Sequence, residues 1–114
     1  MGDRVAILGA GKMGEALLSG LIRAGRPPAD LVVTTREPER AALIAQRYGV
    51  PVVDNADAVK SADTVLIAVK PQDMAALLDE IEPHVSRDQL VVSVAAGITT
   101  AFIERRLVAG VSPE

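Results

Sequence analysis

Five short apolar runs, separated by segments with helical spacing, organise the chain. The first, Arg4 to Leu8, leads directly into Gly9-Ala10-Gly11-Lys12-Met13-Gly14. From Met13, apolar residues at positions 13, 16, 17, 21 and 24 predict one face of a helix, which Gly25 and the pair Pro27-Pro28 stop. The β-branched stretch within Leu31 to Thr35 predicts a second strand. A second helix begins near Pro38, a residue suited to a first turn, with Ala41, Ile44, Ala45 and Tyr48 as its buried stripe and Gly49 as its C-cap. Val50 to Val53 predicts a short third strand, after which Asp54 or Asn55 caps a short helix running through Ala62. The fourth run, Thr64 to Val69, is apolar at nearly every position, as in a strand covered on both faces of a parallel sheet. Pro71 then opens a helix with a stripe at Met74, Leu77, Leu78 and Ile81. Leu90 to Val94 predicts the fifth strand, followed by Ala95-Ala96-Gly97, and Thr99 or Thr100 caps a last helix holding Phe102, Ile103 and Leu107.

Alternating strands and helices imply an α/β fold with a doubly wound parallel sheet of Rossmann type, about five strands in the order 3-2-1-4-5. In such a sheet ligands bind beyond the carboxyl ends of the strands, near the switch point between the first and fourth. A length of 114 residues suits one domain, and 49% apolar with 24% charged residues is a globular balance. No apolar run approaches a membrane span, and the N-terminus lacks a signal-peptide pattern, so the reading is a cytoplasmic protein. The absence of cysteine excludes disulfides, thiol catalysis and thiolate metal sites. A net charge of −3, with one Phe and one Tyr, argues against a nucleic-acid partner.

The six residues Gly9 to Gly14 fit the G-x-G-x-x-G fingerprint in its required context, directly after a strand and opening an amphipathic helix within a unit of about 30 residues. Gly9 allows the tight turn, Gly11 lets the backbone approach a pyrophosphate, and Gly14 lets the helix pack close to the strand. The free N–H groups and positive dipole end of that helix would hold the diphosphate.

The end of the second strand bears on the choice of cofactor. An NAD-specific site places a carboxylate there to hold the ribose 2′-OH, but this strand ends Thr34-Thr35-Arg36, and the nearest acid is Glu37. An arginine pairs with a 2′-phosphate, and Thr35 adds a hydroxyl. NADPH is therefore favoured, with NADH still open. Across the expected crevice lie Val69-Lys70-Pro71-Gln72 and Ala95-Ala96-Gly97. Small residues there admit a flat ring, and Lys70 is a candidate contact for a phosphate or a substrate carboxylate, or else a solvated charge. His84 reads as a surface residue away from the crevice. Asp79, Glu80 and Glu82 read as a solvated helix face, and no metal-ligand spacing or nucleophile elbow is present.

Three segments resemble the pyrroline-5-carboxylate reductase family: Ile7-Leu8-Gly9-Ala10-Gly11-Lys12-Met13-Gly14-Glu15-Ala16, Ala68-Val69-Lys70-Pro71-Gln72-Asp73 and Val94-Ala95-Ala96-Gly97-Ile98-Thr99. The resemblance covers essentially the whole chain. It implies hydride transfer from NADPH or NADH to the C=N bond of 1-pyrroline-5-carboxylate, giving L-proline. It also implies cofactor contacts from Leu8, Gly9, Ala10, Gly11, Lys12, Met13, Thr35, Arg36, Asn55, Ala68, Val69, Lys70, Pro71, Ala95, Ala96 and Gly97. Chains of that family are more than twice as long and continue into a helical domain that forms the oligomer and most of the imine pocket. This chain is thus expected to be the cofactor-binding part, inactive alone. Two competing readings are another NADP-dependent reductase, such as a hydroxyacid dehydrogenase or a deazaflavin-linked enzyme, and a non-catalytic dinucleotide-binding module.

Overall fold

In a computed structural model, which describes residues 4–93, the chain forms a four-stranded parallel sheet flanked by four helices. The elements run β1 (Val5–Leu8), α1 (Lys12–Arg23), β2 (Leu31–Thr34), α2 (Pro38–Tyr48), α3 (Asn55–Ser61), β3 (Thr64–Ile67), α4 (Met74–Ile81) and β4 (Leu90–Ser93). The order across the sheet is β2-β1-β3-β4. In register, Val5 faces Leu31 on one side and Thr64 on the other, and Thr64 in turn faces Leu90.

The sheet differs from expectation in one respect. Val50 to Val53 does not form a strand, and only Val52 makes a single parallel bridge, to Val33. Val33 N–H donates to the Pro51 carbonyl, and Val53 N–H donates back to the Val33 carbonyl. Pro51 has no N–H to extend the ladder. Asp54 then turns the chain into α3 by accepting from the Asp57 N–H at 2.8 Å. The segment still lies outside β2, so the expected order survives with its outermost strand reduced to one bridge.

Strand alternation sorts the core into two layers. Val5 and Ile7 of β1, with Leu31 and Val33 of β2, pack against Leu18 of α1 and Ile44 of α2. Ala6, Leu8 and Val32 face the other way, joining Ala58 and Val59 of α3 and Met74, Leu77, Leu78 and Ile81 of α4. All four residues of β1 are buried, as the central strand of a doubly wound sheet requires. The outer strand β4 is the least covered, with Leu90 60% exposed.

The helix faces were only partly readable. In α1 the buried residues are Gly14 and Leu18, whereas Met13, Ala16 and Ala24 are exposed. Close packing at Gly14 turns the helix so that Leu18, four residues on, is its one fully buried apolar side chain, while Leu17 and Leu21 of the expected face, with Ile22, pack partly buried against the same core. In α2, Ile44 is buried and Tyr48 half-buried, but Ala45 is exposed. Gly49 takes the left-handed conformation at φ +69° and ends α2 as a C-cap. Pro71 opens a 3-10 turn, Pro71–Asp73, and the α-helix proper begins at Met74 with its expected stripe buried. His84 closes a further 3-10 turn, Glu82–His84, after α4 and is partly exposed. The expectations for Val94, Ala95 to Gly97 and the last helix lie outside the described residues.

Two glycines of α1 make opposite predictions. A Cβ at Gly14 would press into the Gly9 carbonyl, while one at Gly20 would meet nothing within 4 Å. Gly14→Ala should lower unfolding stability by about 1–3 kcal/mol through overpacking against backbone. Gly20→Ala should raise it by about 0.8–1 kcal/mol through helix propensity. Urea denaturation of both variants checks the pair; equal midpoints would contradict the packing described.

Candidate dinucleotide site

The turn after β1 is held shut from below. The Thr34 carbonyl at the end of β2 accepts from the N–H groups of Gly9 (3.1 Å) and Ala10 (2.8 Å), and the buried Thr34 hydroxyl accepts from Gly9 as well. The Gly11 N–H donates to the Gly9 carbonyl at 2.9 Å. The amides of Gly9, Ala10 and Gly11 are therefore spent on the turn itself. Ala68 N–H donates to the Leu8 carbonyl, which ties the far side of the turn to the chain leaving β3.

The next three amides are different. The first bond into α1 runs from the Glu15 N–H to the Gly11 carbonyl, so the amides of Lys12, Met13 and Gly14 lie ahead of the helical ladder. Gly11 is the N-cap and brings no side chain to satisfy them. They point from the positive end of a 12-residue helix toward the carboxyl edge of the sheet.

Each glycine of the turn has its own reason. Gly9 sits at φ +93°, and a Cβ there would lie 2.7 Å from Val69 Cγ1, so both conformation and space demand glycine. Gly14 is required by its approach to the Gly9 carbonyl. Gly11 has neither reason: its backbone is extended (φ −81°, ψ −153°), and a Cβ would meet nothing of the chain within 4 Å. The position is therefore open at the N-cap of α1, directly before the three amides that lie ahead of the helical ladder.

The other expected site residues divide between the two sides of the turn. Thr35, half-buried just after β2, accepts from the Glu37 N–H at 3.3 Å, and Arg36 projects with its side chain 81% exposed. Arg36 Nη2 lies 3.3 Å from Asp73 Oδ2. Beyond β3, Ala68 and Val69 are half-buried while Lys70 and Pro71 are exposed. Asn55, the first residue of α3, donates from Nδ2 to Glu80 Oε1 at 3.1 Å. Leu8 to Gly14, Thr35, Arg36 and Ala68 to Pro71 thus gather at the carboxyl edge of the sheet, with Asn55 at the start of the neighbouring helix. Among the described residues there is no group of His, Cys, Asp or Glu fit to hold a metal ion. No described helix is long and apolar enough to cross a membrane.

Sequence reasoning missed a polar cluster beside the turn. Glu15, in the first turn of α1, accepts at 2.7 Å from Arg40 Nη1, Arg47 Nη1 and the Tyr48 hydroxyl of α2. Arg40, Arg47 and Tyr48 share one face of α2 by helical spacing, but nothing in the sequence links that face to Glu15. The carboxylate suits the helix dipole, yet by itself it would repel an anion at the same terminus. Two guanidiniums offset that charge. The Tyr48 hydrogen bond, then the hydrogen bond and charge of Arg47 and the charge of Arg40, hold the Glu15 carboxyl below its ordinary value of 4.5, against the opposing effect of desolvation.

Residues 4–97 match the family described as NADP oxidoreductase, coenzyme F420-dependent. Pyrroline-5-carboxylate reductase of Mycobacterium tuberculosis is 48% identical over 113 residues, covering 94% of this chain and 38% of that protein. A pyrroline-5-carboxylate reductase structure from Coxiella burnetii superposes with a TM-score of 0.86 at 32% identity, over 92% of this chain and 40% of that one. The NADP-bound pyrroline carboxylate reductase of Plasmodium falciparum, 20% identical, shares the fold at a TM-score of 0.76, over 92% of this chain and 38% of that one. The chain spans about 38% of the length of these curated relatives.

A carboxyl whose folded pKa is depressed stabilises the fold above its unfolded value, and that stability is lost as pH falls through the folded one. Wild type should therefore exceed Glu15→Gln in stability near neutral pH. The gap should begin to close as pH drops through 4.5 and should vanish below the lowered folded pKa. Urea titrations across acidic pH test this; a gap independent of pH would remove the ionised carboxylate from the explanation. With residues 4–97 matched, the chain belongs to the F420-dependent NADP oxidoreductase family.

Proposed function

We propose that the chain is the dinucleotide-binding part of a pyrroline-5-carboxylate reductase and binds NADPH in preference to NADH. The observation that carries this is Gly11, the one glycine of the turn that neither backbone conformation nor packing within the chain explains. Gly11 caps the helix whose first amides, of Lys12, Met13 and Gly14, would hold a diphosphate by hydrogen bonding and by the helix dipole. Leu8, Gly9 and Ala10 supply the floor of that cradle. Arg36, exposed at the end of β2, would pair with a 2′-phosphate while Thr35 shapes its loop. Asn55 would reach the adenine ribose. Ala68, Val69, Lys70 and Pro71, with Ala95, Ala96 and Gly97, would line the side nearer the nicotinamide, and Lys70 is a candidate contact to a phosphate or substrate carboxylate.

Bound there, the dinucleotide would supply the hydride that reduces the C=N bond of 1-pyrroline-5-carboxylate to L-proline, with the proton reaching nitrogen from solvent or from a group outside the described residues. The chain's own contribution is to bind and orient the cofactor. The 48% identity to a reductase of that name supports this substrate, as does the pairing of Val69-Lys70-Pro71-Gln72 with Ala95-Ala96-Gly97-Ile98-Thr99. In this reading the protein is cytoplasmic, its oligomer is built from copies of one chain, and it acts on a small molecule rather than nucleic acid or membrane. A deazaflavin-linked NADP reductase is the second reading, favoured by the name of the matched family.

Calorimetric titration should show NADPH binding more tightly than NADH. Arg36→Ala should weaken NADPH by very roughly 1–3 kcal/mol, the value of a lost charge-assisted contact, and affect NADH less. Equal affinities in wild type would remove Arg36 from cofactor choice. Gly11→Val should abolish binding of both cofactors while circular dichroism stays unchanged, because its side chain enters space that is empty in the chain; retained binding would sink the diphosphate assignment.

A further inference from the structure

Arg36 has a partner within the chain. β1 lies between β2 and β3; Arg36 follows β2, and Asp73 lies in the 3-10 turn after β3. Their ion pair, Nη2 to Oδ2 at 3.3 Å, joins the two flanks of the glycine turn at the carboxyl edge of the sheet. The guanidinium proposed to meet a 2′-phosphate is therefore shared with a carboxylate. We propose that Asp73 is a specificity-determining residue: it competes with the 2′-phosphate for Arg36 and so narrows the preference for NADPH over NADH.

The inference rests on the dinucleotide reading above and refines it. A 2′-phosphate can take Arg36 only by displacing Asp73 or by approaching it, and approach brings like charges together. A 2′-hydroxyl carries no charge and leaves the pair intact. The size of the effect is bounded by exposure. The Arg36 and Asp73 side chains are 81% and 36% exposed, and such pairs contribute at most about 1 kcal/mol. Asp73 should thus cost NADPH binding about three- to five-fold, or about 0.6–1 kcal/mol. The backbone role of this turn does not depend on the carboxylate, since it is the Asp73 N–H that donates to the Lys70 carbonyl, at 2.9 Å.

The test is a double-mutant cycle on the full chain, with NADPH and NADH titrated calorimetrically into wild type, Asp73→Asn, Arg36→Ala and the double variant. Asp73→Asn should tighten NADPH three- to five-fold and leave NADH unchanged, and most of that gain should vanish when Arg36 is alanine. Asp73→Glu, which keeps the charge, should retain the wild-type preference. A gain equal for both cofactors, no gain, or a gain undiminished in the Arg36→Ala background would overturn the competition while leaving the dinucleotide site standing. Failure of every variant to bind either cofactor would take down both readings together.

Discussion

The approach of α1 to the turn beneath it is the contact on which the rest of the arrangement depends. Where Gly14 passes the Gly9 carbonyl there is no room for a single methyl group. That closeness fixes the direction of α1 from its first turn. It brings Leu18 onto the sheet as the helix's one fully buried apolar side chain. It also sets the direction of the amides of Lys12, Met13 and Gly14, which lie ahead of the helical ladder. A bulkier residue would tilt the helix and misdirect both its apolar face and its dipole.

Around this contact the backbone divides its hydrogen bonds in two. Three amides of the loop close onto Thr34 and Gly9, making the turn rigid without help from any ligand. The three that follow have no such outlet. A site preorganised in this way loses little conformational freedom when occupied. Charge is arranged to the same end: the Glu15 carboxylate that anchors α1 to α2 is covered by Arg40, Arg47 and Tyr48, so the helix terminus keeps its attraction for anions.

The features legible in the sequence were those encoded by short-range chemistry. Alternating apolar runs gave the strands, Gly49 the C-cap of α2, and Asp54 the start of α3, each within a few residues of its cause. The glycine turn was readable because its spacing, preceding strand and following helix all agree. The rest depended on contacts distant in sequence. Val50 to Val53 has strand composition, but Pro51 and the Asp54 cap leave it one bridge. Met13 and Ala16 have helical spacing, yet the rotation set at Gly14 exposes them. Glu15 meets its partners 25 to 33 residues away, and Arg36 meets Asp73 across the sheet; neither pairing leaves a local signature.

β1 is hydrogen-bonded along both edges and covered on both faces. A strand bonded and covered in this way is the kind whose amides open to solvent only with the whole domain. The loop of Gly9 to Gly14 grows straight out of this strand, whereas Arg36 and the turn at 71–73 stand at its solvent-facing margin. The glycine turn thus rises from a fully buried strand and is flanked by exposed residues. In the proposed reading, variation at those exposed flanks would retune which nucleotide tail is accepted, while the floor proposed to grip the shared diphosphate would stay as it is.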